Sequence, residues 1–546
     1  MRIVVRLLVI MCFFVVVTGE FSSCSQPASE CAGANCADGN ATPEAQTELV
    51  IESQQEQSPS DTENPTTETP VAEGATDGGV PETTPSDETI NKAPCKNSTH
   101  CPRQQACVKG FCDKCKHGGQ CGYRQGCLAD GSCGACTQDK ECEVGKRCRE
   151  GFCTPQRIRE YNLIVDKAKW KDMISPANLS KKLKIPCSLE HDSLVYKDCK
   201  VRPRGESSLA FPKLSLRVEF PENAKHPGYA RKINLRAEYN DKSYMRAFLA
   251  HETFRRISSI PSPRVRYVRL KVNGEDQGIY AEIERIGGKF LDYHRRDRNA
   301  SMYEADPPDS AGSGITALIP LPSQDLYQKG YDQKSGPADY SDLIHLIEKV
   351  IMPAHKSGDV TDLKKQVNMD LYLDYLALMV LVQNRDHFWK NYYFSRQKNA
   401  KGELQWEFYP WDLDLSFGCF YTSKFKTLCK IFMTDSPSLF GTRDKDTPVS
   451  YPIKGFYNLL ADVVLKNTEL RGKFRDRVCK FISGDFWNKQ LPKLIKAYKQ
   501  LLLPEIASDK KDRVDGEVDF VKAVAEVELY LSKRKEFLAK ELFCSK

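Results

Sequence analysis

The chain has 546 residues, enough for more than one domain, with 80 Lys and Arg against 73 Asp and Glu for a net charge of +7. Beyond the N-terminal leader no stretch is long and apolar enough to cross a membrane, and no basic helix or aromatic-basic stripe stands out. A membrane-spanning protein and a nucleic-acid binder are therefore set aside.

Arg2 and Arg6 precede an apolar run from Leu7 to Val17, too short to span a bilayer as a mature helix and read as a secretory signal. It ends in Phe21-Ser22-Ser23-Cys24, small residues before a cysteine, as in bacterial lipoprotein signals, although Phe21 stands where an aliphatic residue is usual. Residues 1–23 are thus expected to be removed and Cys24 to be lipidated. This implies an exported, membrane-anchored protein at the outer membrane or cell surface; a plain secretory signal cut nearby is the alternative. Setting aside Cys12 and Cys24 leaves 20 of the 22 cysteines, an even number available for disulfides.

Residues 24–94 read as a disordered acidic linker. Its stretch 37–91 holds no Lys or Arg and 13 Asp or Glu, and buries too little apolar surface to offset ordering entropy. Because that stretch contributes −13, residues 92–546 carry +20, an excess suited to an anionic ligand such as a nucleotide or to an anionic surface.

Residues 95–153 contain 12 cysteines in three similar units: Cys95, Cys101, Cys107 and Cys112; Cys115, Cys121, Cys127 and Cys133; Cys136, Cys142, Cys148 and Cys153. About twenty residues cannot hold a core, so each unit is expected to carry two disulfides. Cys112-x2-Cys115 and Cys133-x2-Cys136 also match zinc-ribbon spacing, the competing reading. No nucleophile–base pair is present there. A stalk, or a module binding an unidentified surface partner, is expected rather than a catalyst.

From residue 154 to 546 the composition is that of an α+β protein. Strand-like runs occur at Leu214 to Phe220, Val265 to Val272 and Ile279 to Ile286, the last two separated by the hairpin turn Asn273-Gly274. Residues 370–383 are apolar almost all round and predict a buried helix. Tyr392 to Phe394 and Leu404 to Tyr409 predict short strands joined across Lys401-Gly402. Between helix and strands lies Asn384-Arg385-Asp386-His387, with Asn391 five residues beyond Asp386. After the hairpin comes Trp411-Asp412-Leu413-Asp414. A buried helix, an acid, an Asn at this spacing and a second acid beyond a hairpin is the order of a protein-kinase catalytic lobe. The chemistry requires it: Mg²⁺ on a transferring phosphoryl group needs hard oxygen ligands, and a separate carboxylate must orient the nucleophile. His387 is expected to cap or pack rather than act as base.

These motifs and others resemble the CotH kinase family across nearly all of residues 160–546. The matching stretches are Arg204-Gly205-Glu206-Ser207-Ser208, Lys213 to Phe220, Leu235 to Asp241 with Arg246, Tyr267 to Leu270, Gly278 to Glu284, Asn384 to Tyr393 and Trp411 to Gly418. The resemblance implies an atypical two-lobed protein-kinase-like fold that binds ATP, or another nucleotide, with Mg²⁺ and phosphorylates Ser on a protein substrate. It makes Asp386 the nucleophile-orienting residue and Asn391 and Asp412, supported by Asp414, the metal ligands. Arg204, Gly205, Ser207 and Ser208 would approach the phosphates in place of a Gly-rich loop. Lys213 or Arg217 would pair with phosphate oxygens, with Glu284 as partner to one of them. The family's common basic pair is reduced here to Lys213-Leu214.

Three functions compete: a lipid-anchored kinase of surface proteins, a catalytically silent scaffold or adhesin that retained the fold, and a transferase using another activated substrate at the same metal site. Within this domain Cys187 is expected to pair with Cys199. Cys419, Cys429, Cys479 and Cys544 are expected to form two further disulfides.

Overall fold

The computed structural model describes Cys95, Cys101 and residues 104–544 apart from 110, 308–314, 385–386, 388, 422–426, 430–457 and 507–515. Each cysteine unit folds as a short antiparallel hairpin, Ala106–Val108 with Phe111–Asp113, Gly126–Cys127 with Cys133–Gly134, and Lys146–Arg149 with Phe152–Pro155. In every unit the first cysteine bonds the third and the second bonds the fourth, from Cys95–Cys107 and Cys101–Cys112 to Cys136–Cys148 and Cys142–Cys153. The zinc reading is thereby corrected: Cys112 and Cys115, and Cys133 and Cys136, belong to separate disulfides, so no thiolate remains at those junctions for a metal. Each bridge closes 11 or 12 residues. Loop-closure entropy then gives roughly 3 kcal/mol per bridge, which replaces the missing core.

A closed seven-stranded barrel follows. Its strands are β1 (Arg159–Ile164), β2 (Ile185–His191), β3 (Leu194–Pro203), β4 (Leu216–Glu219), β5 (Lys232–Arg236), β6 (Val265–Val272) and β7 (Glu275–Ile283), in the cyclic order β4-β5-β7-β6-β1-β2-β3. All pairings are antiparallel except β6 with β1. Alternate residues point inward, among them Tyr161, Leu163, Leu189, Val201, Leu216, Val218, Ile233 and Leu235. The β6–β7 turn is the expected one, with Asn273 at φ +51° and Gly274 at φ +82°. Cys187 and Cys199 face each other across the β2–β3 hairpin and are bonded, as expected.

Strand β7 joins two cores. Tyr280 packs inside the barrel, whereas Ile279, Ala281 and Ile283 on its other face pack into the larger C-terminal core. Between β5 and β6 runs α1 (Arg246–Ile257), buried from Arg246 to Phe254. A four-stranded sheet, in the order β9-β8-β10-β11, is built from β8 (Met302–Ala305), β9 (Tyr331–Ser335), β10 (Tyr392–Lys398) and β11 (Leu404–Pro410). The apolar stretch becomes α2 (Met369–Val382), of which only Asp370 and Asp374 escape burial. Helices α3 (Leu459–Lys466), α4 (Thr468–Ser483), α5 (Leu491–Ile506) and α6 (Gly516–Glu541) complete the helical lobe. The Cys479–Cys544 disulfide ties α4 to the residues after α6. Cys419 is also disulfide-bonded, and its cross-strand backbone partner is Cys429.

The cysteine units are not detached from this body. Arg124, in the second unit, lies over the rings of Tyr123, Phe248 and Tyr498 and forms a 2.9 Å ion pair with Glu252 of α1. Arg124 and Tyr123 both donate to the Val265 carbonyl.

Candidate functional site

Where the barrel meets the helical lobe, a cleft is lined by Arg204, Gly205, Ser208, Lys213, Arg236, Glu238, Asp241, Asp412, Asp414 and neighbouring residues. Each wall has a backbone reason. The Arg204 N–H donates to Ser215 O, extending the β3–β4 ladder into the turn. Gly205 then takes φ +101°, and a Cβ there would collide with Ser208 Oγ, so this tight turn requires glycine. The Ser207 backbone lies in the single 3₁₀ turn that follows. On the opposite wall the Trp411 N–H donates to Asn391 O, and the Asn391 N–H to Ala305 O, stitching the two predicted metal-holding loops to β8. Asn391, Asp412 and Glu238 hold φ of +63°, +51° and +49°. Left-handed non-glycine residues cluster at binding and catalytic sites, where surrounding structure holds them.

The electrostatics centre on Arg236, the last residue of β5. One guanidinium nitrogen bonds Asp412, another bonds Asp414, and Nε lies 3.6 Å from Glu238 Oε1. Burial opposes ionisation of Asp412, but the guanidinium groups of Arg236 and Arg204 outweigh it and hold the carboxyl below the usual carboxylate range. Burial likewise opposes the charge on Arg236, yet Asp412, Asp414 and Glu238 raise its pKa well above the usual value. Glu238 goes the other way: burial, only partly offset by Arg236 and reinforced by nearby Asp241, Asp414 and Asp412, pushes it up to about 8.

Among the predicted anion-binding residues, Arg204 fits an anion best. Its Nε is buried with no hydrogen-bond partner among the described residues, an unfilled donor suited to a phosphate oxygen. Lys213 also lines the cleft, but its Nζ donates to Ile279 O at 2.7 Å and sits 4.7 Å from the Tyr280 ring centre. Asn391 is not itself part of the cleft lining and meets it only through its backbone bond to Trp411, beside Asp412. Two further placements differ from expectation. Arg217 is outside the cleft lining, bonded through Nε to Asn234, because alternation on β4 puts it on the face opposite Leu216 and Val218. Glu284 partners neither Lys213 nor Arg217. It forms a two-oxygen clasp with Arg264 and is buried there.

Asp386 lies outside the described residues. Its neighbours frame the loop: the Asn384 side chain donates to Ser416 Oγ, and His387, fully buried, bonds the Asn384 carbonyl. Burial lowers the His387 pKa to about 3, so the ring is neutral and packs, as expected. Sequence reasoning assigned no role to Arg236 or Glu238. Both stand in the Leu235–Asp241 motif, where β5 ends against the acids.

This chain belongs to the CotH kinase protein family, whose model matches residues 201–538, more than half its length. The match begins inside β3, so the barrel needs β1 and β2 from before the matched region to close. The chain is similar to the inner spore coat protein H of Bacillus subtilis (strain 168), with 26% identity over 355 residues covering 63% of this chain and 87% of that protein.

Proposed function

We propose that this CotH-family protein is an exported kinase, lipid-anchored through Cys24, that transfers a phosphoryl group from Mg-ATP to Ser on surface proteins. The observation carrying this reading is the convergence, in one cleft, of Asp412 and Asp414 with Arg204, whose buried Nε awaits an acceptor. Asp412, Asp414 and Asn391 would hold Mg²⁺, which when bound neutralises charge on the phosphates. Arg204 and the Gly205–Ser208 turn would bind and orient the polyphosphate, and Asp386 would align the acceptor hydroxyl and take its proton.

A second reading, the catalytically silent scaffold, is favoured by Arg236, which already neutralises both cleft aspartates. Two variants separate these readings. Asp412→Ala should weaken Mg-nucleotide binding in calorimetry and abolish phosphate incorporation. Asp386→Ala should retain binding while turnover falls about 10²- to 10⁴-fold, the usual range for a lost general base. A parent chain that binds no Mg-nucleotide leaves the scaffold. Mass spectrometry of the mature N-terminus tests the tether, for which two fatty chains suffice; an unmodified residue other than Cys24 there refutes it.

A further inference from the structure

Arg236 sits between Asp412 and Asp414, where the kinase reading would put a metal. Its planar fork spans Asp412 and Asp414, one nitrogen to each, while Nε faces Glu238. The side chains of Arg236 and Asp414 are 16% and 13% exposed, whereas Asp412 is 38% exposed, so the ion cluster is buried on the Asp414 side and opens to solvent at Asp412. With the guanidinium in place, the cleft encloses only about 70 Å³. Sites that take nucleotide-sized ligands run to roughly 300–1,000 Å³. An arginine cannot vacate such a place by losing its proton. It leaves only if another cation serves the carboxylates and another anion serves the arginine.

We propose that Arg236 is an exchangeable counter-ion: it holds Asp412 and Asp414 in the metal-free chain, surrenders both carboxylates to the divalent cation, and swings onto the incoming phosphates beside Arg204. This deepens the kinase reading and rests on it. A divalent cation alone is a poor competitor, because displacing Arg236 leaves a buried guanidinium beside the new positive charge. A metal bound to a polyphosphate brings the compensating anion with it. Arg236 therefore lowers affinity for free metal and couples metal binding to nucleotide binding, by the same free energy in both directions. Glu238 Oε1 lies 3.6 Å from Nε, facing the third nitrogen of the guanidinium.

The test is Mn²⁺ binding to the intact chain without nucleotide, read by electron paramagnetic resonance and by melting temperature. Arg236→Gln removes the competitor, so Mn²⁺ should bind at least about tenfold more tightly than to the parent, as expected when a closed state no longer taxes the binding-competent one. The same variant should melt lower than the parent in chelator and recover with Mn²⁺, because carboxylates that have lost their closest cation then gain another. Arg236→Lys keeps the charge, and with it the fold, but a point charge cannot span two carboxylates, so its affinity should fall between those two. A folded Arg236→Gln or Arg236→Lys that binds Mn²⁺ no more tightly than the parent overturns the proposal. If the parent nevertheless binds Mg-nucleotide, the kinase reading stands and only the exchange fails. If neither the parent nor any variant binds metal or Mg-nucleotide, both fall together.

Discussion

At Gly205 the chain reverses direction between two barrel strands with a φ of +101°, which L side chains rarely adopt, and a Cβ there would also force Ser208 Oγ to swing aside. Gly205→Ala should distort the turn that aims Arg204, costing about 1–3 kcal/mol, in the range for one strained backbone site. Nucleotide affinity should drop more than stability does, a contrast that calorimetry and thermal melting together would reveal. His251 supplies a different residue-level signal. It is fully buried, hydrogen-bonded to Ser262, and its pKa is lowered to about 3 by burial first and then by Arg255 and Arg236. As pH falls below about 6.5 the unfolded chain takes up this proton before the folded one does. Stability is therefore lost progressively toward pH 3, and this group changes nothing above neutrality. His251→Asn should lose less stability than the parent between pH 7 and pH 5, by about 2 kcal/mol at roughly 1.4 kcal/mol per unit. Denaturant midpoints at the two pH values check it, and equal losses would refute it.

The second cysteine unit contacts α1, the helix that follows the cleft-lining residues 236–241. Asp241 caps α1, accepting from the Arg246 N–H and guanidinium, while Glu252 in the same helix receives Arg124 from the second unit and Arg256 from its own next turn. One helix thus links the disulfide-rich hairpins to the loop bearing Glu238. Arg124→Met should destabilise the chain by about 3 kcal/mol, the low end for breaking a buried ion pair, because Glu252 keeps Arg256. Residues 154–546 produced alone should melt well below residues 95–546. Equal melting would show that the hairpins are only attached. The second unit of the repeat is packed into the body through Arg124 and Tyr123 rather than held away from it as a free stalk.

Over the whole described chain, eight disulfides with both partners described staple mostly local hairpins, and Cys479–Cys544 is the long one, closing 65 residues. Loop-closure entropy assigns it about 4 kcal/mol. Replacing both cysteines by Ser should lower the denaturation free energy by that order, whereas the pair in β2–β3 closes 12 residues and should matter less. Comparison of urea midpoints for the two double variants checks the ranking. This density of disulfides fits the oxidising, exported setting proposed for the chain.

Much of this architecture is local in origin and so could be read along the chain. The buried helix at 369–382 follows from an apolar run with few interruptions, the β6–β7 hairpin from Asn273-Gly274, and the three cysteine hairpins from even spacing in units too small to hold a core. The acids at Asp412 and Asp414 were visible for the same reason, since motif and hairpin lie within thirty residues of one another in the sequence. What depended on distant partners was not legible. Glu284 was free to pair with any cation until the barrel register set Arg264 against it, and alternation on β4 turned Arg217 away from the cleft. Arg236 lies 176 residues before Asp412, and Arg124 lies 141 residues before the Val265 carbonyl it binds. Spacing along a chain determines which residues share a turn or a face. Ion pairs between lobes depend on how closed sheets and buried helices pack, and only the tertiary structure decides that.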